Sequence, residues 1–454
     1  MKQLIIFFLV CCNLVTFAQG GALADLKFEE AETAFNNQEY ETTINKLDEF
    51  DKLYGSITTT SLYLRLITTD NTIDYIKEFD SKGMINFEKK VNAYLSSFEK
   101  EQIDDKYREI YKISQKIKNS LNIKEWSEMP EYKAGYEEYE AENFIEALKW
   151  FEKAADKNNA LAMSSMGTIY AIGDKAVEQD FFKSYEWISK AAKFGEIQAS
   201  LVLGTMYFGG SGVEKNEDLA KKYLINAAEM GLKEAMYILG KIELNNNNYP
   251  DAEYWFKKAA KKKDSDAMND LGDMYYYGNG VQKNYNEALH WYKLSSESEK
   301  STFSLNASAI NSIGNMYFKG TGVQQDFQKA LDYYQKAATQ GWNYAFVNLG
   351  NMYLEGNGVV INIDEAINWF SKVKPNFYDD YENATEGAKN GLAKAYFLLA
   401  EKYFKNSQFL EAIESYKKAH ASGNNDAKYR ISKIYREGLG VLKDKKLAKE
   451  WENK

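Results

Sequence analysis

The chain has 454 residues, 44% hydrophobic and 27% charged, with 34 tyrosines, 25 phenylalanines and 8 tryptophans. This is length enough for about three domains and aromatic surface enough for packed cores, so intrinsic disorder is excluded. A net charge of −9 excludes the basic footprint that nucleic-acid binding needs, and only two histidines, His290 and His420, are present for imidazole chemistry.

Residues 1–18 read as a secretory signal peptide. Lys2 gives a positive start, Leu4 to Val15 an apolar stretch, and Thr16-Phe17-Ala18 small residues at the usual cleavage positions, leaving Gln19 as the new N-terminus. The stretch falls short of the ~20 residues a spanning helix needs, so no membrane span is expected after cleavage. The expected location is exported: periplasmic or secreted, in the cell envelope of a bacterium. Both cysteines, Cys11 and Cys12, lie in this segment. The mature chain therefore has no disulfide, no thiolate metal site and no cysteine nucleophile.

Residues 19–130 form a helical N-terminal region. Ala31, Ala34-Phe35, Tyr40, Ile44 and Leu47 resemble one degenerate tetratricopeptide helix pair. Thr58-Thr59-Thr60 and Thr68-Thr69 are poor helix formers and mark expected breaks. A helix is expected over 97–121, with Phe98, Ile103, Tyr107, Ile110, Tyr111, Ile113 and Ile117 apolar, and Met129-Pro130 closes the region.

From 131 to 454 the chain repeats. Leu203-Gly204-Thr205-Met206-Tyr207, Leu271-Gly272-Asp273-Met274-Tyr275, Ile313-Gly314-Asn315-Met316-Tyr317 and Leu349-Gly350-Asn351-Met352-Tyr353 are one phrase, with Gly167 and Gly240 in looser copies. An alanine stands five before each glycine, at Ala162, Ala199, Ala235, Ala267, Ala309 and Ala345, and the period near 36 gives about nine units. Each unit reads as two helices. The first puts Ala, Leu and Tyr on one stripe, with a mid-helix glycine where another helix comes close; the second carries an aromatic-rich phrase such as Tyr333-Tyr334-Gln335-Lys336-Ala337-Ala338. Gly210-Ser211-Gly212-Val213, Gly278-Asn279-Gly280-Val281, Gly320-Thr321-Gly322-Val323, Gly356-Asn357-Gly358-Val359 and Gly438-Leu439-Gly440-Val441 connect the two, and none has the Gly-Lys-Ser/Thr of a phosphate loop.

These residues strongly resemble the Sel-1-like repeat family, relatives of the tetratricopeptide repeats, over some 70% of the chain. The fourth and eighth units lack the glycine connection, running through Asn245-Asn246-Asn247-Asn248 and Lys405-Asn406-Ser407-Gln408. Insertions widen the pattern near 296–308 and 374–391. The resemblance implies an all-α fold, a right-handed α/α superhelical solenoid.

Candidate chemistry is thin. Asp264, Asp266, Asp270 and Asp273 crowd together, but the order Asp-Ser-Asp-Ala-Met-Asn-Asp lacks the glycine and terminal glutamate of a calcium loop, and acids suit a helix N-terminus. His290 and His420 have no nucleophile with an orienting acid nearby and read as structural. No metal, cofactor or catalytic residue is assigned.

The informative positions are those on the first helices, two and six residues after the alanine and off the Ala/Leu/Tyr stripe: Asn269 and Asp273, Asn311 and Asn315, Val347 and Asn351, joined one turn on by Tyr276 and Phe318. The resemblance implies a peptide groove along this inner face, where asparagine donates and accepts at once. The expected function is a non-catalytic exported scaffold whose partner is a protein or peptide, with no nucleic acid. A cell-envelope hydrolase acting on cell wall or glycan, and a self-associating structural protein, are the alternatives.

Overall fold

The computed structural model describes residues 22–54, 56–72, 81–97, 104–298, 306–374 and 381–454. The signal segment 1–18 lies outside them. Among the described residues there are twenty-three helices and no strand. The chain is all-α, and from Pro130 on its helices follow one another as pairs. Two units are distinguished, divided between Leu232 and Lys233.

In the first unit, helices Ala22–Asn36 and Tyr40–Tyr54 pair and are followed by Thr59–Thr72, Ser81–Ser96 and Asp105–Glu128. Leu47, Leu64, Met84, Val91, Ile110 and Ile117 form their core. Of the two expected breaks, the one at Thr58-Thr59-Thr60 is present and the one at Thr68-Thr69 is not. Thr58 caps the Thr59–Thr72 helix, accepting from Ser61 N at 3.0 Å, but Thr68 and Thr69 lie inside it. Their hydroxyls donate to the carbonyls of Leu64 and Arg65 at 2.6 and 2.8 Å, which satisfies them within the helix. The helix expected over 97–121 instead starts after Asp104, whose carboxylate accepts Tyr107 N at 2.8 Å, and runs to Glu128. Phe98 and Ile103 lie outside the described residues. Met129 is extended and Pro130 opens the next helix. Three repeated pairs complete the unit: Pro130–Glu140 with Phe144–Ala155, Ala160–Ile172 with Phe181–Lys193, and Ile197–Gly209 with Glu217–Glu229.

The second unit holds six pairs. They are Lys233–Asn245 with Tyr249–Lys261, Ser265–Tyr277 with Tyr285–Glu297, Asn306–Lys319 with Phe327–Thr339, Asn343–Glu355 with Ile363–Phe370, Tyr381–Lys405 with Phe409–Ala421, and Asp426–Glu437 with Lys445–Glu452. Part of the expected insertion at 374–391 is helix, because Tyr381–Lys405 runs for 25 residues where most partners have 13.

The repeated phrase is legible atom by atom. A Cβ on Gly272 would stand 2.5 Å from the Tyr292 ring, so the glycine lets the second helix of the pair come close. Gly278 takes φ +81° and donates to Met274 O at 2.9 Å, ending its helix. A Cβ on Gly280 would stand 1.9 Å from Tyr249 Cβ, so the connection lies flat on the start of the preceding pair's second helix. The chain then turns back: Asn284 N donates to Tyr275 O at 2.9 Å, and the Asn284 side chain caps the second helix by accepting Asn286 N and Glu287 N. The cap residues Asn216, Asp326, Asn362 and Asp444 repeat that return bond, to Tyr207, Tyr317, Tyr353 and Tyr435.

Candidate partner-binding face

The candidate positions on the first helices of the second unit do not all point the same way. Asn269, Asn311 and Val347 are buried, at 3, 6 and 9% exposure. This corrects the expectation that they point away from neighbouring helices. The residue two after the alanine faces the next repeat: Val347 belongs to a core cluster with Ala388 and Ala395 of the following first helix, and Asn311 Oδ1 accepts Asn348 Nδ2 at 2.9 Å. Tyr276 and Phe318 are half-buried and turn toward their second helices, against Tyr285 and Phe327 at ring separations of 5.4 and 5.3 Å. They finish the core rather than lining a groove.

Asp273, Asn315 and Asn351, six after the alanine, are half-buried. One partner of each can come from the second-helix side chain packed on the first helix. Where that side chain is tyrosine, its hydroxyl is bonded. Tyr292 donates to Asp273 Oδ1 at 2.6 Å and Tyr334 to Asn315 Oδ1 at 2.8 Å; in the pair where Ala400 stands in place of the glycine, Tyr416 donates to Glu401. Where it is phenylalanine, as Phe256 against Gly240 and Phe370 against Gly350, no hydroxyl is available.

Sequence reasoning missed the next position, three after the alanine, which meets the preceding repeat. Lys241 Nζ lies 3.1 Å from Asp270, Asn348 Nδ2 3.4 Å from Asn315 Oδ1, and Arg430 Nε 2.9 Å from Glu401. A polar ladder thus runs from the sixth position of one first helix to the third of the next. The complementary pairs Lys241/Asp270 and Glu401/Arg430 were a readable signal for it. Asn351 stands outside the ladder. Its own pair offers Phe370, the third position of the next first helix is Leu398 (39% exposed), and Asn351 has no bonded partner among the described residues. Tyr277, one turn beyond Asp273 and 63% exposed, is the other residue the pattern missed.

The acids are structural in their contacts. Asp264 caps its helix, accepting Ala267 N at 2.8 Å. Burial raises the carboxyls of Asp264 and Asp270, the latter opposed by Lys241 and by hydrogen bonds from Tyr237 and Asn269. Asp273 is pushed up to about 6, mainly by burial, with the Tyr292 hydroxyl pulling the other way. Among the described residues no group of acids and histidines is placed to hold a metal ion. His290 and His420 pack edge-on against Trp291 and Trp451. No described helix is long and apolar enough to cross a membrane.

Within each unit, close helix pairs that follow one another and pack on the next define a helical-repeat solenoid fold. A model of the Sel1 repeat matches residues 132–159, 160–193, 197–232, 233–264, 265–299, 307–342, 345–372 and 425–451, more than half the chain. The chain belongs to the Sel1 repeat family. The pair at 381–421 is unmatched; it has neither the glycine connection nor the mid-helix glycine, whose place Ala400 takes. No curated protein matches. Among solved structures, a protective antigen of uropathogenic Escherichia coli strains with an SLR fold is 23% identical over 89% of this chain and 78% of that one, at a TM-score of 0.49. A Sel1 repeat protein from Oxalobacter formigenes is 32% identical over 53% of this chain and 97% of that one, at a TM-score of 0.48. Sel1 repeat proteins are in general non-catalytic and mediate protein–protein interaction.

Proposed function

We propose that this protein is an exported, non-catalytic scaffold that holds an extended segment of a protein partner along the exposed edge of its first helices, centred on Asn351. The observation that carries the reading is the open amide of Asn351, whose counterpart position on the next first helix is exposed Leu398, in a ladder whose other members include Asn315 with Asn348 and Glu401 with Arg430. An amide that can donate and accept suits an extended peptide backbone, and an adjacent apolar side chain suits its residues. Tyr277 extends the same edge two repeats earlier. Export rests on the apolar start of the chain, with Lys2 before it and Ala18 at its end.

Affinity capture from envelope extract tests this, with Asn351→Ala/Tyr277→Ala as the control bait. Neither side chain is buried, so the control bait keeps its fold by circular dichroism. A protein enriched by the unsubstituted bait and lost with the control supports the reading; equal capture by both overturns this placement of the site.

A further inference from the structure

The second repeat departs from the others in its connection. In place of Gly-x-Gly-Val it runs from Gly173 to Gln179, with Asp174 Oδ1 accepting Ala176 N and Val177 N at 2.8 and 2.6 Å. Between this connection and the one at 210–214 lies a cleft of about 940 Å³, with Leu148, Val177, Phe181 and Phe182 in its lining. Phe182 is 74% exposed. With Phe181 beside it at 41%, Phe182 gives the cleft an exposed apolar rim into which a partner's apolar side chain would fit. The charged residues of the lining are unequal: Lys183 and Asp180 answer each other at 3.6 Å, while Glu178 and Glu214 have no bonded partner among the described residues. The cleft therefore selects a bulky apolar side chain flanked by cations.

The chain itself carries such a segment. In the last connection Leu442 is 92% exposed, at the place where other repeats put Glu214, Gln282 and Gln324. Lys443, Lys445 and Lys446 surround it without an ion-pair partner among the described residues, and the intervening Asp444 is occupied in capping Lys446 N and Leu447 N. Val360, the other strongly exposed connection residue, has no lysine beside it. We propose that the protein self-associates head to tail, Leu442 of one copy entering the Phe182 cleft of another with its lysines against Glu178 and Glu214. Because the two surfaces differ, the contact either closes into a ring or continues as an open chain. The proposal is independent of the Asn351 reading.

Light scattering of the purified protein over a range of concentrations tests it. The mean mass rises with concentration, and added salt shifts the rise to higher protein, because the carboxylate–ammonium part is screened. Phe182→Asp and Leu442→Asp each weaken association by about tenfold or more, as truncating an interface anchor does. A mixture of the two variants forms pairs and nothing larger, because it offers one intact cleft and one intact tip. A mass that stays monomeric at every concentration, association indifferent to either variant, or a mixture that does not pair would each overturn the proposal.

Discussion

At Asp273 a single carboxylate shows how position sets chemistry in this chain. Burial holds it up to about 6 even though Tyr292 donates to it. A carboxyl raised in the folded state stabilises the fold fully at a pH below its unfolded value near 4 and loses that contribution as the pH climbs to about 6. Unfolding free energy should therefore fall between pH 4 and pH 7, with Asp270, Asp264 and Glu196 contributing in the same direction because burial raises each of them. Asp273→Asn should flatten that slope by on the order of 1–3 kcal/mol, read from urea melts at the two pH values; an unchanged slope would show that the carboxylate is solvated. Gly272 makes a steric counterpart. Gly272→Val would drive a branched side chain into the Tyr292 ring, which a Cβ alone would meet at 2.5 Å, and should cost more than ~2 kcal/mol of stability. The sequence announced this close approach through the recurrence of glycine. It did not announce that a tyrosine on the far side bonds the residue six after the alanine, as Tyr292 bonds Asp273 and Tyr334 bonds Asn315, because that depends on a hydroxyl some twenty residues away.

Elements were legible where their ends carry their own chemistry. The glycine connections and the aromatic phrases placed the repeated helices because each turn is closed by local bonds: the left-handed glycine, the return bond to the tyrosine carbonyl, and the Asn or Asp cap. Asn284→Ala removes the bonds to Asn286 N and Glu287 N and should cost about 1 kcal/mol, visible as faster amide exchange in the first turn of Tyr285–Glu297. Legibility failed at Thr68 and Thr69, where propensity argued for a break. Leu64, Leu66 and Ile67 are buried around them, and burial of that face outweighs the preference of two threonines whose hydroxyls bond back along the helix. It failed again for the inner face. Counting along one helix tells which residues share a stripe, but not that Asn269, Asn311 and Val347 are covered by the next repeat, since the offset between successive helices is a property of the packing.

For the whole molecule the repeat pattern implies stability built from neighbouring contacts. Damage to one pair should then stay local. Gly350→Val, which drives a side chain into Phe370, should speed amide exchange in 343–370 and the pairs adjoining it while leaving 233–261 protected; uniform loss of protection across the second unit would show that it unfolds as a single cooperative body. The same architecture explains why a binding reading rests on the first-helix edges, since Asn351 is open where neighbouring ladder positions are closed by partners and Tyr277 is exposed one turn beyond Asp273. The most direct measurement of that reading places a photo-crosslinking amino acid at Asn351 and, as a control, at Lys336 on a second helix. Irradiation in cells should attach a partner protein through position 351 and none through 336. Equal yields from the two positions, or none from 351 while the protein captures its partner, would contradict a segment held along the first helices.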